Sequence, residues 1–401
     1  MATNILWALR RGHWPSLVGA WLHFEVSFMT WLLIGSLGVA IAEELALSAT
    51  QKGLLVACPL LSGALFRIVV GLSSDYLGAK TTGLYVLVCE MGALLWGWGG
   101  GGTFPQMLGM GFVLGVAGAS FAVALPLASR AYPPAHQGLV MGLAASANSG
   151  TVLAMFFAPR LAEWVGWRGV FGVMLAPVLT TAVLFALLVR RDDAVSAREV
   201  FPNWRRRFEE SLARPAMYWL CLLYSVTFGG FVGVCSALPI FLHDQYRLDL
   251  VTAGSVTALG GLLGSLIRPL GGYVADRVGG ARVLPAVFVA IAVCMLAVGS
   301  LPPLTPAVFC VMAAITAMGF GNGVLFQVVS DKFPKEIGMA SGLIGAAGGV
   351  GGFLFPFGLG SLKDLTGTYA AGWWVFAAAT GCAWVSVRLY NRRTMLQQRS
   401  G

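Results

Sequence analysis

Apolar and polar positions alternate along this chain on a long wavelength. Hydrophobic stretches of about twenty residues, enough to cross a hydrocarbon core about 30 Å thick, are separated by short polar breaks. Twelve can be placed, near 15–40, 52–72, 80–98, 105–129, 138–158 and 168–190, then 216–242, 252–275, 282–300, 306–330, 338–360 and 370–389. The pattern predicts an all-α membrane protein with twelve transmembrane helices. One long polar interruption lies between the sixth and seventh stretches. It holds seven arginines (190, 191, 198, 205, 206, 207 and 214) against five acids (Asp192, Asp193, Glu199, Glu209 and Glu210). It divides the chain into a six-helix half (1–190), a linker (191–214) and a second six-helix half (215–401).

The halves carry a repeat. Arg67 and Arg268 lie 201 positions apart, each inside an apolar stretch. Each is followed four residues on by a glycine (Gly71, Gly272), eight on by an aspartate (Asp75, Asp276) and eleven on by a glycine (Gly78, Gly279). Six helices per half is an even number, so both halves start on the same side and the repeat is parallel. Basic loops gather on one side: Arg10 and Arg11, Lys80, Arg130, the linker, Arg277 and Arg282, Lys332 and Lys335, and the tail arginines. The positive-inside rule places both termini and the linker in the cytoplasm.

Composition sharpens this picture. Of 401 residues, 57% are hydrophobic and 11% charged, where a soluble protein carries about a quarter charged. Mean hydropathy is +0.79. The net charge of +9 fits cytoplasmic loop arginine and lysine rather than a nucleic-acid partner. The seven cysteines form no CxxC pair and the four histidines have no metal-ligand spacing, so no cofactor, metal or disulfide framework is expected. Leu77-Gly-Ala-Lys80-Thr-Thr lacks the glycine that a phosphate loop requires at position 79. No serine–histidine–acid set argues for an enzyme. The N-terminal run after Arg10 and Arg11 reads as a first span rather than a cleaved leader, for want of a small-residue cleavage site.

The chemistry sits in the few polar residues of the apolar stretches. Eight helical residues separate Arg67 from Asp75 and Arg268 from Asp276, about 12 Å along a helix. That depth puts both guanidiniums near the membrane midplane, where a charge marks a substrate pathway. A structural ion pair with an acid on another helix is the plainer reading. As ligands, two planar, permanently charged forks suit one small planar oxyanion held between the halves. Asn148 is a mid-membrane amide that needs partners, as substrate ligand or as glue between helices. Small residues around it (Gly138, Gly142, Ala145, Ser149) and Gly342, Gly345, Gly349 and Gly352 in the eleventh stretch permit close helix packing. Glu25 in the first stretch is a possible proton site or a cross-helix pair; Glu90 in the third reads as structural.

The duplicated segments Gly71-Leu-Ser-Ser-Asp75-Tyr-Leu-Gly78 and Gly272-Tyr-Val-Ala-Asp276-Arg277-Val-Gly279 resemble the cytoplasmic loop motif of the major facilitator superfamily, whose role is conformational. The run Ala144-Ala-Ser-Ala-Asn148-Ser-Gly150-Thr-Val-Leu-Ala, with Gly345-Ala-Ala-Gly348-Gly349-Val-Gly351-Gly-Phe in the second half, resembles the paired signature motifs of the nitrate/nitrite porter family within it. The resemblance covers nearly the whole chain. It implies that Arg67 and Arg268 grip the anion, that the signature asparagine is Asn148, and that Tyr224 and Phe228 form a seventh-helix aromatic pair at the site. One departure is Gly349 where the first signature has Asn148, so the polar groups are not symmetric. The expected function is alternating-access transport of nitrate, nitrite or both across the cytoplasmic membrane by a single chain in the bilayer. Arginine cannot shed its proton, which favours exchange of anions; proton symport needs a titratable group such as Glu25. A superfamily exporter of an organic anion or drug is the rival. A membrane sensor would need a soluble output domain, and the linker is too short to be one.

Overall fold

The computed structural model describes residues 11–100, 102–133, 137–190, 206, 208–333 and 337–400; most of the linker 191–214 falls outside them. Nearly all of the described chain is α-helical. In chain order the helices are α1 (Trp14–Glu44), α2 (Ala49–Leu77), α3 (Ala79–Gly100), α4 (Phe104–Arg130), α5 (137–165), α6 (167–188), α7 (Pro215–Tyr246), α8 (Leu250–Val278), α9 (Gly280–Gly299), α10 (Leu304–Lys332), α11 (Ile337–Thr366) and α12 (Ala370–Ser400). Among the described residues, ten segments are long and apolar enough to cross a membrane. The longest, Leu143–Leu188, has 46 residues. At about 1.5 Å per residue it is more than twice the thickness of the hydrocarbon core. It breaks at Gly166 (φ 70°, ψ 161°), which separates α5 from α6. With the 22-residue α3, every expected stretch has a helical counterpart.

Apolar side chains lie on both the inside and the outside, as a bilayer requires. Trp31, Phe171, Phe185, Phe241, Phe288 and Trp373 are fully buried, while Leu65, Val69, Leu187, Phe309 and Leu354 are exposed on outer faces. Water would make that outer surface an aggregation liability; lipid makes it the solvated face.

The chain forms two compact units, Met1–Ile41 with Cys58–Arg206, and Ala42–Ala57 with Arg207–Gly401. In the first, α1 packs along α5 and α6, and α3 along α6. In the second, α9 packs on α12 and α10, α8 on α10, and α7 along α11. The stretch Ala42–Ala57 is tied into the second unit. Lys52 Nζ lies 2.7 Å from Asp244 Oδ2, and the Tyr369 hydroxyl donates to the same oxygen at 2.8 Å. The Asp364 carboxylate accepts from the backbone N–H groups of Ala49 and Thr50, which caps α2.

Helices α2 and α8 stop at Gly78 (φ 84°) and Gly279 (φ 90°). These left-handed conformations cost an L-residue about 1–2 kcal/mol. The two glycines stand 201 positions apart, so the repeat extends to backbone geometry.

Candidate functional site

In the first unit, Arg67 is 4% exposed on α2. Its Nε donates to the carbonyl of Gly118 at 3.1 Å. That carbonyl lies in the 3-10 segment Gly115–Ala119, which interrupts α4. The guanidinium carbon lies 4.8 Å from the Phe121 ring centroid and 5.5 Å from that of Trp31. Aromatic faces attract a desolvated cation by about 2 kcal/mol. They hold the charge without neutralising it.

Asn148 is 5% exposed and sits in the 3-10 turn Ser146–Ser149 of α5. Its neighbour Ser149 donates through Oγ to both carboxylate oxygens of Glu25, at 3.1 and 2.8 Å. Glu25 is thus joined across helices to the signature segment, and no basic group pairs with it among the described residues. Gly150 lies against the α1 backbone: a Cβ there would overlap the Glu25 carbonyl and stand 3.0 Å from Met29 N. Glu90 is fully buried on α3 and accepts from the Thr30 hydroxyl at 3.1 Å.

The second unit repeats this plan with different chemistry. Helix α8 is interrupted at Ile267, between Leu250–Leu266 and Arg268–Val278, where Pro269 has no backbone N–H to give to the carbonyl four residues back. Arg268 stands at the break. Its Nε and Nη2 are buried and make no hydrogen bond. Its guanidinium carbon lies 4.8 Å from the Phe231 centroid and 5.8 Å from that of Phe228. Tyr224 and Phe228 stack, with centroids 5.0 Å apart and planes 4° from parallel. Tyr224 immediately precedes and Phe228 lies within a π-helical turn, Ser225–Gly229, in α7, a rare local widening that recurs at functional sites. Ser225 Oγ donates to the carbonyl of Ala347 at 2.9 Å, tying this turn to α11.

The glycines of α11 fit the turn. A Cβ on Gly348 would stand 2.7 Å from Tyr224 Cδ1 and 2.9 Å from Phe228 Cδ1. One on Gly351 would stand 2.8 Å from both Ser225 Cα and Cβ. Gly345 and Gly349 are also buried. Arg268, Tyr224, Phe228 and Gly348 are therefore brought together in one unit, and Asn148, Glu25 and Gly150 in the other.

In the loop motifs, Asp75 pairs with Arg130 Nη2 at 2.9 Å, both about half exposed. Arg277 lies 4.3 Å from the Tyr273 ring centroid, and Asp276 is on the last turns of α8. A Cβ on Gly71 would meet nothing within 4 Å and one on Gly272 would lie 3.7 Å from the Gly323 carbonyl. The close backbone approach belongs instead to Gly271, 3.0 Å from Phe320 C by the same construction.

Sequence reasoning missed Trp31, Phe121 and Phe231, the rings beneath the arginines. Phe231 follows Phe228 by three residues, the helical spacing that could have flagged it. With 24 phenylalanines and 13 tryptophans in the chain, aromatic identity alone carries no signal.

Comparison with known proteins follows the same lines. Residues 20–356 match the sequence model described as Major Facilitator Superfamily. A Mycobacterium tuberculosis (H37Rv) protein named probable nitrate/nitrite transporter NarK2 is 32% identical, over 97% of this chain and 100% of the relative. A Bacillus subtilis (strain 168) protein named nitrite extrusion protein is 30% identical, over 91% of each chain. Among solved structures, a D-xylose–proton symporter superposes with a TM-score of 0.73 at 17% identity, over 93% of this chain and 96% of the other. A bacterial homologue of the human lysosomal transporter Spinster, inward-facing and occupied, gives 0.72 at 17%, over 96% of each. At these identities the two structures speak to the fold.

Proposed function

Because the chain belongs to the nitrate/nitrite porter family of the major facilitator superfamily, we propose that it moves nitrate, nitrite or both across the cytoplasmic membrane by alternating access. Arg67 and Arg268 are the anion-gripping groups, and Asn148, Tyr224 and Phe228 shape the site. The observation that carries this reading is Arg268. Its charge is permanent, two of its nitrogens are buried without partners, and no carboxylate pairs with it among the described residues. A buried donor left unsatisfied costs about 1–3 kcal/mol or more when charged, so the position makes sense if the missing acceptor is the substrate. A planar fork of N–H groups fits the oxygens of a small planar anion.

The transport mode we favour is exchange. Two guanidiniums cannot be neutralised by deprotonation, so an anion must accompany them through each reorientation. Both termini lie on the cytoplasmic side in this reading, because the basic loops cluster there. The test is nitrate uptake into proteoliposomes with and without internal nitrite, run beside Arg67→Lys and Arg268→Lys. Uptake that requires internal nitrite and is lost in both variants supports the reading. Uptake driven by a proton gradient alone replaces exchange with symport, and a Glu25→Gln variant then asks whether that carboxyl carries the proton. Absence of nitrate and nitrite uptake under both conditions overturns the substrate assignment.

A further inference from the structure

Helix α10 carries a buried amide that has no role so far. Asn322 is 1% exposed, and neither its Nδ2 nor its Oδ1 has a hydrogen-bond partner. Membrane helices use asparagine as glue by pairing it across an interface; this one has no hydrogen-bond partner among the described residues. A buried polar group left unsatisfied in a native fold calls for an explanation.

Its neighbours show where it faces. Met318 and Phe326 lie one helical turn to either side on the same face of α10. A Cβ on Gly230 would stand 3.2 Å from Met318 Sδ, and the Phe326 ring lies 5.5 Å from that of Tyr224. Asn322 therefore faces α7 between Tyr224 and Gly230, at the π-helical turn. Gly321, next in the chain, stands against Thr227 of that turn, with 3.1 Å between its constructed Cβ and Thr227 Cγ2. Thr227 is fully buried and its hydroxyl is also unpartnered. On the other side, Gly323 lies against the Arg268 backbone, 3.0 Å by construction from its carbonyl carbon. The Arg268 guanidinium extends over Phe228 of the same turn and Phe231 just beyond it. Three unsatisfied polar side chains from three helices, Arg268, Asn322 and Thr227, thus gather around one irregular turn.

We propose that Asn322 is a substrate ligand: its amide N–H donates to an oxygen of the small oxyanion whose charge Arg268 balances, with the Thr227 hydroxyl as an auxiliary donor. The inference rests on the transport reading above and adds a residue and a helix to it. An amide is suited to the task because it donates without bringing a second fixed charge into the second unit, so release of the anion is not opposed by further Coulombic attraction.

The sign of a substitution separates this role from a structural one. Asn322→Leu has similar volume and removes the polar atoms. A structural amide would leave its partners stranded and lower stability; an amide that waits for substrate leaves nothing stranded, and replacing it is neutral or stabilising. The experiment measures nitrate and nitrite binding to the purified full-length protein, through ligand-induced thermal stabilisation, together with proteoliposome uptake. Expected for Asn322→Leu is a midpoint without ligand equal to or above that of the wild type, with oxyanion affinity about ten- to a hundredfold weaker, the loss of one hydrogen bond to a charged group. Asn322→Ala, which cannot clash, carries the same expectation if the leucine variant does not accumulate. Wild-type binding of nitrate or nitrite with unchanged affinity in the variants overturns the Asn322 assignment and leaves the transport reading intact. A loss of affinity matched by a lowered ligand-free midpoint in both variants assigns Asn322 to structure and also overturns it. If the wild type binds neither oxyanion, the transport reading falls and this inference falls with it.

Discussion

The signature glycines make the sharpest mechanical prediction, and Gly150 and Gly351 are the places to test it. A Cβ at Gly150 would overlap the Glu25 carbonyl and stand 2.9 Å from that carbonyl carbon and 3.0 Å from Met29 N. All three are backbone atoms of α1, which cannot rotate aside as a side chain can. Ordinary carbon contacts begin near 3.5 Å, so α5 must withdraw from α1 by at least about half an ångström, and more to clear the oxygen. Overpacking costs typically about 1–3 kcal/mol, and a backbone obstacle belongs at the upper end. Alanine recovers about 1 kcal/mol of helix propensity relative to glycine, which leaves Gly150→Ala destabilised by about 2 kcal/mol. Gly351→Ala is the internal replicate, since its Cβ would stand 2.8 Å from Ser225 Cα on α7. The controls are Gly71→Ala and Gly342→Ala, where a Cβ meets nothing within 4 Å; these should be neutral or slightly stabilised. The assay is the midpoint of thermal unfolding in detergent, with nitrate uptake measured in parallel. The steric argument is refuted if Gly150→Ala and Gly351→Ala unfold no lower than the two controls.

Further outcomes follow from other contacts. Asp244→Ala strands the Lys52 ammonium and the Tyr369 hydroxyl, which meet Asp244 Oδ2 at 2.7 and 2.8 Å. The pair is half-buried, so the cost should be about 2 kcal/mol, between that of an exposed pair and that of a buried one with one partner removed, and a Lys52→Met, Asp244→Leu double variant should recover part of it in the same unfolding assay. Gly279→Ala meets no atom within 4 Å, so its cost of about 2 kcal/mol should come from the backbone alone; at φ 90° and ψ 121° the residue lies outside the αL region that asparagine tolerates, so Gly279→Asn should cost as much as alanine. Asp249 caps α8 by accepting from Thr252 N at 2.9 Å, and Asp249→Ala should lose about 1 kcal/mol at neutral pH. The hydrogen bond from Thr252 holds that carboxyl below its ordinary value. Its contribution is therefore present above the ordinary carboxylate range and fades as pH falls through the lower native value, so the difference between wild type and variant should vanish under acid and nowhere else.

Some of this was readable along the chain and some was not, for physical reasons. Arg67 and Arg268 stand out in sequence because a charge in an apolar stretch has few uses. Gly78 and Gly279 stand out because they recur at a fixed offset after an aspartate. The helical stretches were legible because hydropathy alone sets the length of a span. The position of Asn322 was not legible, because its meaning depends on what α7 and α8 fail to offer it. Nor were the π-helical turn at Ser225–Gly229 and the break at Ile267, which arise from packing and from a single proline inside uniformly apolar sequence. The prominent motif glycines Gly71 and Gly272 also drew attention away from Gly271, which makes the tight contact.

The two units show what duplication held fixed and what it changed. Gly63 and Gly264 stand 201 positions apart, one turn before each arginine. A Cβ on Gly63 would stand 3.0 Å from Trp31 Nε1, and one on Gly264 would stand 2.5 Å from Phe231 Cε2. These are the same two rings that lie beneath Arg67 and Arg268. In each unit, then, a glycine admits an aromatic ring against the arginine's own helix, and the ring fixes the guanidinium one turn further on. Gly118 and Gly319 repeat the offset on α4 and α10; a Cβ on Gly319 would stand 2.7 Å from Gly264 Cα on α8, whereas one on Gly118 would meet the Trp31 ring of α1. Around this common frame the chemistry diverges. The position of Phe121, which lies beside Arg67, is occupied in the second half by Asn322. Arg67 donates to a backbone carbonyl, whereas Arg268 keeps two nitrogens unsatisfied. Duplication thus kept the glycine, ring and arginine of each unit and let the neighbouring position diverge, to a phenylalanine in one unit and an amide in the other.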